Sequence, residues 1–139
     1  MHVVLISCAS AKLDRAAPAA LLYVSPLFKL MLRYAQQLDP RAIFVLSAKH
    51  GLVGLDETIE PYDVTLNTMT LQERKAWADG VLAQLRTVAN TDADSFTLLA
   101  GAKYREFLEP ALQHCNVPLA GLSIGRQLQW LRARTEARD

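Results

Sequence analysis

Residues 43–63, IFVLSAKHGLVGLDETIEPYD, are the stretch around which we interpret the rest of the chain. The stretch begins with an apolar run, Ile43 to Leu46, which is typical of a buried strand. Because functional residues concentrate in loops held by a rigid scaffold, the polar segment that follows predicts a loop forming much of a ligand site. Its ionisable and hydroxyl side chains include Ser47, Lys49, His50, Asp56, Glu57, Glu60, Tyr62 and Asp63.

Length and composition predict one soluble domain. The chain has 139 residues, of which 51% are hydrophobic and 21% charged, enough to bury its own core. Fifteen basic against fourteen acidic residues give a net charge of +1, so no overall positive field marks a nucleic-acid partner. No run approaches the roughly 20 apolar residues of a membrane span, and no signal peptide is recognisable. We therefore expect a cytoplasmic protein without a membrane partner. The sequence makes no prediction of its oligomeric state.

Strand-like and helix-like segments alternate along the chain. Such alternation predicts a single α/β domain over residues 1–139, with a mainly parallel, Rossmann-like sheet of about four strands and helices on both faces. Ser25-Pro26 and the Thr70–Glu73 capping box mark two helix starts. The predicted strands are 2–7, 42–46, 96–100 and 117–120, and the predicted helices are 26–38, 70–87, 103–114 and one beginning at about 124.

Polar side chains follow the ends of three predicted strands. The segments are Ser7–Lys12, Ser47–His50 and Gly101–Arg105. In parallel sheets these carboxyl ends meet at one rim, where ligands bind. Small residues and a lysine after the first strand suit close approach of an anion. An ordinary strand-to-loop transition with a solvated lysine is the alternative.

Three residues are catalytic candidates. Cys8 could act as a nucleophile if a neighbouring cation activates it, although a small buried cysteine is the commoner outcome. His50 could act as a general acid or base, and Lys49 could supply a positive charge. The alternative for this pair is structural: the loop backbone would satisfy the hydrogen bonds of His50, and the Lys49 side chain would be solvated.

Other polar residues at the same rim are ligand-binding candidates. No recognised metal-ligand spacing occurs, so we predict neither a metal nor a cofactor; zinc held by Cys8, His50 and Cys115 is a minor alternative. Cys115, Trp77 and Trp130 are interpreted as core residues. The ligand-binding candidates are Ser7, Ser10, Lys12, Ser47, Asp56, Tyr62, Asp63, Gly101, Tyr104 and Arg105.

Five short motifs together resemble an uncharacterised family of short bacterial and phage proteins. This family is related to the YaaA peroxide-stress proteins, a relationship that implies an α/β fold and DNA binding linked to oxidative stress. The motifs are Ser7-Cys8-x3-Lys12, Leu22-Tyr23-x-Ser25-Pro26-Leu27-Phe28, Leu46-Ser47-Ala48-Lys49-His50-Gly51-Leu52, Ile59-x-Pro61-Tyr62-Asp63 and Gly101-x2-Tyr104.

A more distant similarity is to the catalytic core of archaeosine synthase, with the motif Pro-Cys-x3-Lys-Pro-Tyr-x2-Ser-x2-His. Cys8-x3-Lys12 fits this pattern, whereas Phe28 stands where the motif has histidine. The resemblance implies that Cys8, Lys12, Tyr23 and Ser25 share one pocket for a nucleobase or nucleotide.

The leading hypothesis is a protein that binds a nucleotide, nucleoside or modified nucleobase and acts on it as a transferase or hydrolase. Lys12, Lys49 and Arg105 would bind the anionic group, and Tyr23 and Tyr62 would contact a base or sugar. The alternative is a non-catalytic, DNA-binding stress-response protein resembling YaaA. It would use the basic residues near the end of the chain, Arg126, Arg132, Arg134 and Arg138.

Overall fold

A computed structural model describes residues 1–136 and shows a mixed α/β domain. Two short 3-10 turns, Leu66–Thr68 and Glu109–Ala111, lie between the main elements. In chain order, the strands and helices are β1 (His2–Ser7), β2 (Ala17–Pro18), α1 (Ala19–Leu22), α2 (Pro26–Gln37), β3 (Ala42–Ser47), β4 (Gly51–Gly54), β5 (Thr58–Ile59), α3 (Leu71–Leu85), β6 (Ser95–Leu99), α4 (Ala102–Arg105), β7 (His114–Asn116) and α5 (Ile124–Glu136).

The main sheet has five strands in the order β4-β3-β1-β6-β7. β1, β3, β6 and β7 pair in parallel, whereas β4 runs antiparallel to β3. β2 and β5 form a separate antiparallel pair. The mainly parallel sheet is confirmed, but the predicted count of about four strands is wrong.

The missed strand is β4, which lies inside the stretch predicted to be loop. Ser47 pairs with Gly51 across a tight turn, and Gly51 has a φ of +73°, a conformation that favours glycine. The strand consists of two apolar residues between two glycines, too short a run to show a period of two. Its pairing with β3 was therefore not visible in the pattern.

The region after β6 also differs from the prediction. The helix predicted over 103–114 ends at Arg105, and a separate 3-10 turn contains Pro110, a residue that a helix interior would not accommodate. The strand predicted over 117–120 is instead His114–Asn116, an edge strand whose residues are exposed or half-buried. This strand contains no apolar run, so the sequence pattern did not predict it.

Both predicted helix caps are confirmed. Ser25 Oγ accepts a hydrogen bond of 3.1 Å from the backbone N–H of Phe28 at the start of α2. At the start of α3, Thr70 Oγ1 accepts from the Glu73 backbone at 3.1 Å, and the Thr70 backbone donates to Glu73 Oε1 at 2.9 Å. These bonds satisfy amides that the helix itself leaves unpaired.

Helices cover both faces of the sheet, as predicted. On one face, α2 and α5 contribute Phe28, Met31 and Leu131 to a core that includes Val4 and Ile6. On the other face, α3 packs against alternate residues of the same strands. This second core contains Leu5, Leu46, Phe96, Leu98, Ala78, Val81, Leu82 and Leu85.

The strand order opens a crevice between β1 and β6. The chain leaves β1 through α2 to reach β3 on one side, and it later passes through α3 to reach β6 on the other side of β1. The connections that leave β1 and β6 therefore diverge. Such a switch point at the carboxyl ends of parallel strands is where α/β sheets bind ligands.

Among residues 1–136, no helix is long and apolar enough to cross a membrane.

Two glycines provide a first test of the fold. Gly51→Ala should lower the free energy of unfolding by about 1 kcal/mol or more, because its positive φ strains other residues and a Cβ would collide with the Gln84 side chain. Gly80→Ala, in the middle of α3 with open space around it, should raise the free energy by about 0.5–1 kcal/mol. Urea denaturation of both variants measures the difference. Equal effects of the two substitutions would contradict the described turn.

Candidate functional site

Side chains from the ends of β1 and β6 meet across the crevice. The half-buried thiol of Cys8 follows β1, and its sulfur lies 3.2 Å from the hydroxyl oxygen of Tyr104 in α4. The backbone N–H of Cys8 donates to the carbonyl of Leu46 at 3.0 Å, which continues the pairing of β1 with β3 past the strand end. The backbone of Cys8 is thus held by β3, and its thiol contacts the helix that follows β6.

A chain of buried hydroxyl groups lies beside this thiol. Ser47, at the end of β3 and 0% exposed, donates from its Oγ to the hydroxyl oxygen of Tyr62 at 2.8 Å. The hydroxyls of Tyr62 and Tyr23 share a further hydrogen bond of 2.6 Å. Ser47 Oγ also accepts from the backbone N–H of His50 at 3.0 Å. One network therefore connects the loops that follow β1 and β3.

Three tyrosines at the site keep their protons over an unusually wide pH range. Burial raises the pKa of Tyr23 to about 12. Burial also raises the pKa of Tyr62 and of Tyr104 above the ordinary tyrosine value, and the nearby Cys8 acts in the same direction. At neutral pH each hydroxyl is consequently available as a hydrogen-bond donor.

Lys12 reaches the same region because the loop after β1 folds back on itself. Lys12 and Tyr23 form an isolated antiparallel bridge, and Leu13 N–H donates to the carbonyl of Leu22 at 2.9 Å. The half-buried ammonium of Lys12 lies 4.4 Å from the centroid of the Tyr62 ring, a cation–π contact. It also donates to the carbonyl of Ser10 at 3.2 Å.

Cys8, Lys12 and Tyr104 line a cavity of about 310 Å³, which we call the thiol cavity. That volume is at the lower end of the range for small-molecule sites. The cavity offers a thiol, a cation, a carboxylate and an amide within one space. Its polar lining residues are Cys8, Ser10, Lys12, Asp63, Thr65, Asn67 and Tyr104.

Two of the catalytic candidates lie at the surface. His50 is exposed, and its ring packs edge-on against the Tyr62 ring with centroids 5.5 Å apart. Lys49 is exposed and makes no side-chain hydrogen bond or ion pair within residues 1–136. The structure thus brings His50 against the hydroxyl network but leaves the Lys49 ammonium in solvent. Catalysis by either residue stays a prediction.

The remaining ligand-binding candidates have other surroundings. Ser25 caps α2, and Asp56 lies exposed in the turn between β4 and β5. Arg105 donates to the carbonyl of Ala100 at 3.0 Å and to Glu109 at 3.2 Å, so its guanidinium is engaged. Ser7 is only 8% exposed, and Gly101 forms the N-cap of α4.

Sequence reasoning missed Thr65, Asn67 and Trp77 as site residues. Thr65 and Asn67 line the thiol cavity from the segment between β5 and α3. Trp77 Nε1 donates to the carbonyl of Ser47 at 2.9 Å, and its ring packs edge-on against Tyr104. A signal was present for the first two, because they lie just after the Pro61-Tyr62-Asp63 motif. Trp77 packs, partly buried, against both cores as predicted, and it also supports the site.

The donor set does not point to a metal. No group of three or more histidine, cysteine, aspartate or glutamate residues is placed to hold a metal ion in the part of the chain that the structure describes. Cys115 is half-buried against the core on the α3 side. Burial raises the pKa of its thiol to about 11, so it stays protonated near neutral pH.

The chain belongs to a family of unknown function, DUF6884, whose sequence pattern it matches over residues 3–133. No curated protein and no solved structure shows significant similarity to it. Membership of this family assigns the chain to a class of proteins but does not assign it an activity.

The hydroxyl network predicts a specific cost for Tyr62→Phe. Removing the hydroxyl leaves Tyr23 without its buried partner, so the free energy of unfolding should fall by about 1–3 kcal/mol. Tyr34→Phe is the matched control, since the Tyr34 side chain makes no hydrogen bond within residues 1–136 and its ring packs on Trp130 and against the core. Chemical denaturation of both variants provides the comparison. Losses of equal size would show that the network contributes nothing.

The raised pKa of Tyr23 predicts a pH dependence of stability. Because the folded state holds the phenolic proton more tightly, the contribution is fully present below pH 10 and is lost as pH rises towards about 12. The loss is at most about 1.4 kcal/mol per pH unit. The stability advantage of the wild type over Tyr23→Phe should shrink across this range, as measured by urea denaturation. A constant difference between the two proteins would contradict the assignment.

Proposed function

We propose that the protein binds a nucleotide, nucleoside or modified nucleobase in the thiol cavity and acts on it as an enzyme. The observation that supports this most is that Cys8 and Lys12 line one cavity at the crevice between β1 and β6. Ligands of open α/β sheets bind at this position. We also interpret the sheet as Rossmann-like, because its connections reverse direction at β1.

The polar groups of the cavity fit a ligand with an anionic part. The Lys12 ammonium makes one hydrogen bond and keeps two donors for a phosphate or another anion. Asp63, exposed at the cavity edge, can accept from a ribose hydroxyl or an exocyclic amine. The Asn67 side-chain amide makes no hydrogen bond within residues 1–136, so both its donor and its acceptor are available.

The same cavity supports a catalytic step. A half-buried cysteine that opens into a ligand cavity can act as a nucleophile, and the Tyr104 hydroxyl at 3.2 Å can exchange a hydrogen bond with the sulfur. His50, packed on the Tyr62 ring, is the histidine closest to the network and can serve as an acid or base. Transfer or hydrolysis at a nucleoside or nucleobase is the class of reaction that we propose.

DNA binding is the weaker proposal. Arg126 and Arg132 are exposed but six residues apart on α5, which places them on different faces of the helix. The Arg134 guanidinium is stacked on Trp130 at 3.6 Å from the ring centroid. Arg138 lies outside the described residues. No continuous basic surface on α5 favours this function, and the relation to peroxide-stress proteins stays a prediction.

A thermal-shift screen tests the proposed function. Purified protein is mixed with nucleotides, nucleosides, deazapurines, sugar phosphates and short DNA. A ligand at 100 times its dissociation constant should add roughly 2.7 kcal/mol of stability. Lys12→Ala should lose this shift for anionic ligands, because the cation above the Tyr62 ring is gone. Cys8→Ser should retain binding but lose turnover.

Lys75→Ala is the matched control. It removes one positive charge from α3, outside the thiol cavity, so it should keep the shift. Lys49→Ala tests the other candidate cation, in the turn between β3 and β4, and loss of binding in this variant alone would move the site to the surface of that turn. A shift with DNA only, abolished by salt, would favour the alternative function.

A further inference from the structure

A second cavity lies next to the thiol cavity. It has a volume of about 320 Å³ and lies among the starts of α2, α4 and α5. The two cavities share Asn67 and Tyr104 as lining residues, so they are neighbouring parts of one crevice. Each cavity is at the lower end of the range for small-molecule sites, whereas a ligand that spans both would use a volume well within it.

The two cavities differ in chemistry. The thiol cavity contains both Lys12 and Asp63. The second cavity is lined by the large apolar side chains of Leu27, Met31 and Ile124, and its one charged residue is Lys103, which donates to the carbonyl of Asn67 at 3.4 Å. Ile124 is 67% exposed although it is large and apolar. A planar apolar group placed against it would remove this surface from water, which is favourable.

Polar groups at the edge of the second cavity are available to a ligand. Gln127 donates from Nε2 to the carbonyl of Leu122 at 2.9 Å, and its Oε1 makes no hydrogen bond within residues 1–136. The amide of Asn67 is likewise unpaired in the described part of the chain. Apolar walls with an amide acceptor at the edge fit a heterocyclic base with an exocyclic amine.

From this juxtaposition we infer that the ligand is a nucleotide bound across both cavities. Its base lies in the second cavity against Leu27 and Ile124, and its phosphate contacts Lys12 in the thiol cavity. The ribose passes Asn67 and Tyr104, which brings it beside the Cys8 thiol. This inference rests on the proposed function and narrows its three ligand classes to one that has both a base and an anionic group.

Isothermal titration of the full chain with matched fragments tests the inference. The probes are AMP and GMP, the corresponding nucleosides, and ribose 5-phosphate. Ile124→Ser should weaken nucleotide and nucleoside binding about tenfold and leave ribose 5-phosphate unchanged. Lys12→Ala should weaken nucleotide and ribose 5-phosphate binding about 10- to 100-fold and affect the nucleosides least.

A second variant fills the cavity instead of trimming its wall. Gly101 lines the second cavity, has a φ of −69° and has no neighbouring atom within 4 Å of an added Cβ. Gly101→Val should therefore fold normally and block the base. It should weaken nucleotide binding and spare ribose 5-phosphate, as Ile124→Ser does.

The possible results separate the inference from the proposed function. If Lys12→Ala abolishes nucleotide binding while Ile124→Ser and Gly101→Val leave it unchanged, the ligand lies in the thiol cavity alone and the two-cavity inference is wrong. If none of the probes binds at millimolar concentration but a deazapurine stabilises the protein in the thermal-shift screen, the inference is wrong and the proposed function stands. If no compound of either panel binds, both are overturned.

Discussion

The site depends on the two side-chain hydrogen bonds of the Tyr62 hydroxyl. A buried hydroxyl without a partner costs roughly 1–3 kcal/mol, and Tyr62, at 8% exposed, avoids that cost by bonding to both Ser47 and Tyr23. Ser47 belongs to β3, and Tyr23 forms an antiparallel bridge with Lys12. One side chain thus holds three segments in register, and the position of the Lys12 ammonium follows from it.

The order of the strands decides where these segments can form a cavity. β1 lies at the centre of the sheet with β3 on one side and β6 on the other, and the chain departs in opposite directions from β1 and β6. The Cys8–Tyr104 contact crosses the gap that this divergence leaves. Cavities on both sides of Tyr104 are therefore a consequence of the topology, whereas their chemistry depends on the loops.

Local patterns in the sequence predicted most of the scaffold. β1, the cap at Ser25 and the capping box at Thr70 follow from apolar periodicity and from residues that satisfy helix amides. The convergence of polar segments at one rim followed from the parallel alternation of strands. The pairing of Tyr23 with Tyr62 could not be predicted, because the two residues are 39 positions apart and their contact depends on tertiary packing. The contribution of Asn67 to the crevice was missed for another reason, because its place just after the Pro61-Tyr62-Asp63 motif was a signal that the interpretation did not use.

The side chain of Gln84 affects how readily the edge of the sheet can pair with other copies of the protein. Its side-chain amide accepts from the backbone N–H of Leu52 at 2.9 Å and donates to the carbonyl of Leu52 at 3.4 Å. β4 is the outer strand on that side of the sheet, and open edges invite pairing with strands of other chains. The glutamine takes the place of a further strand at Leu52, so it protects this edge against aggregation without extending the sheet.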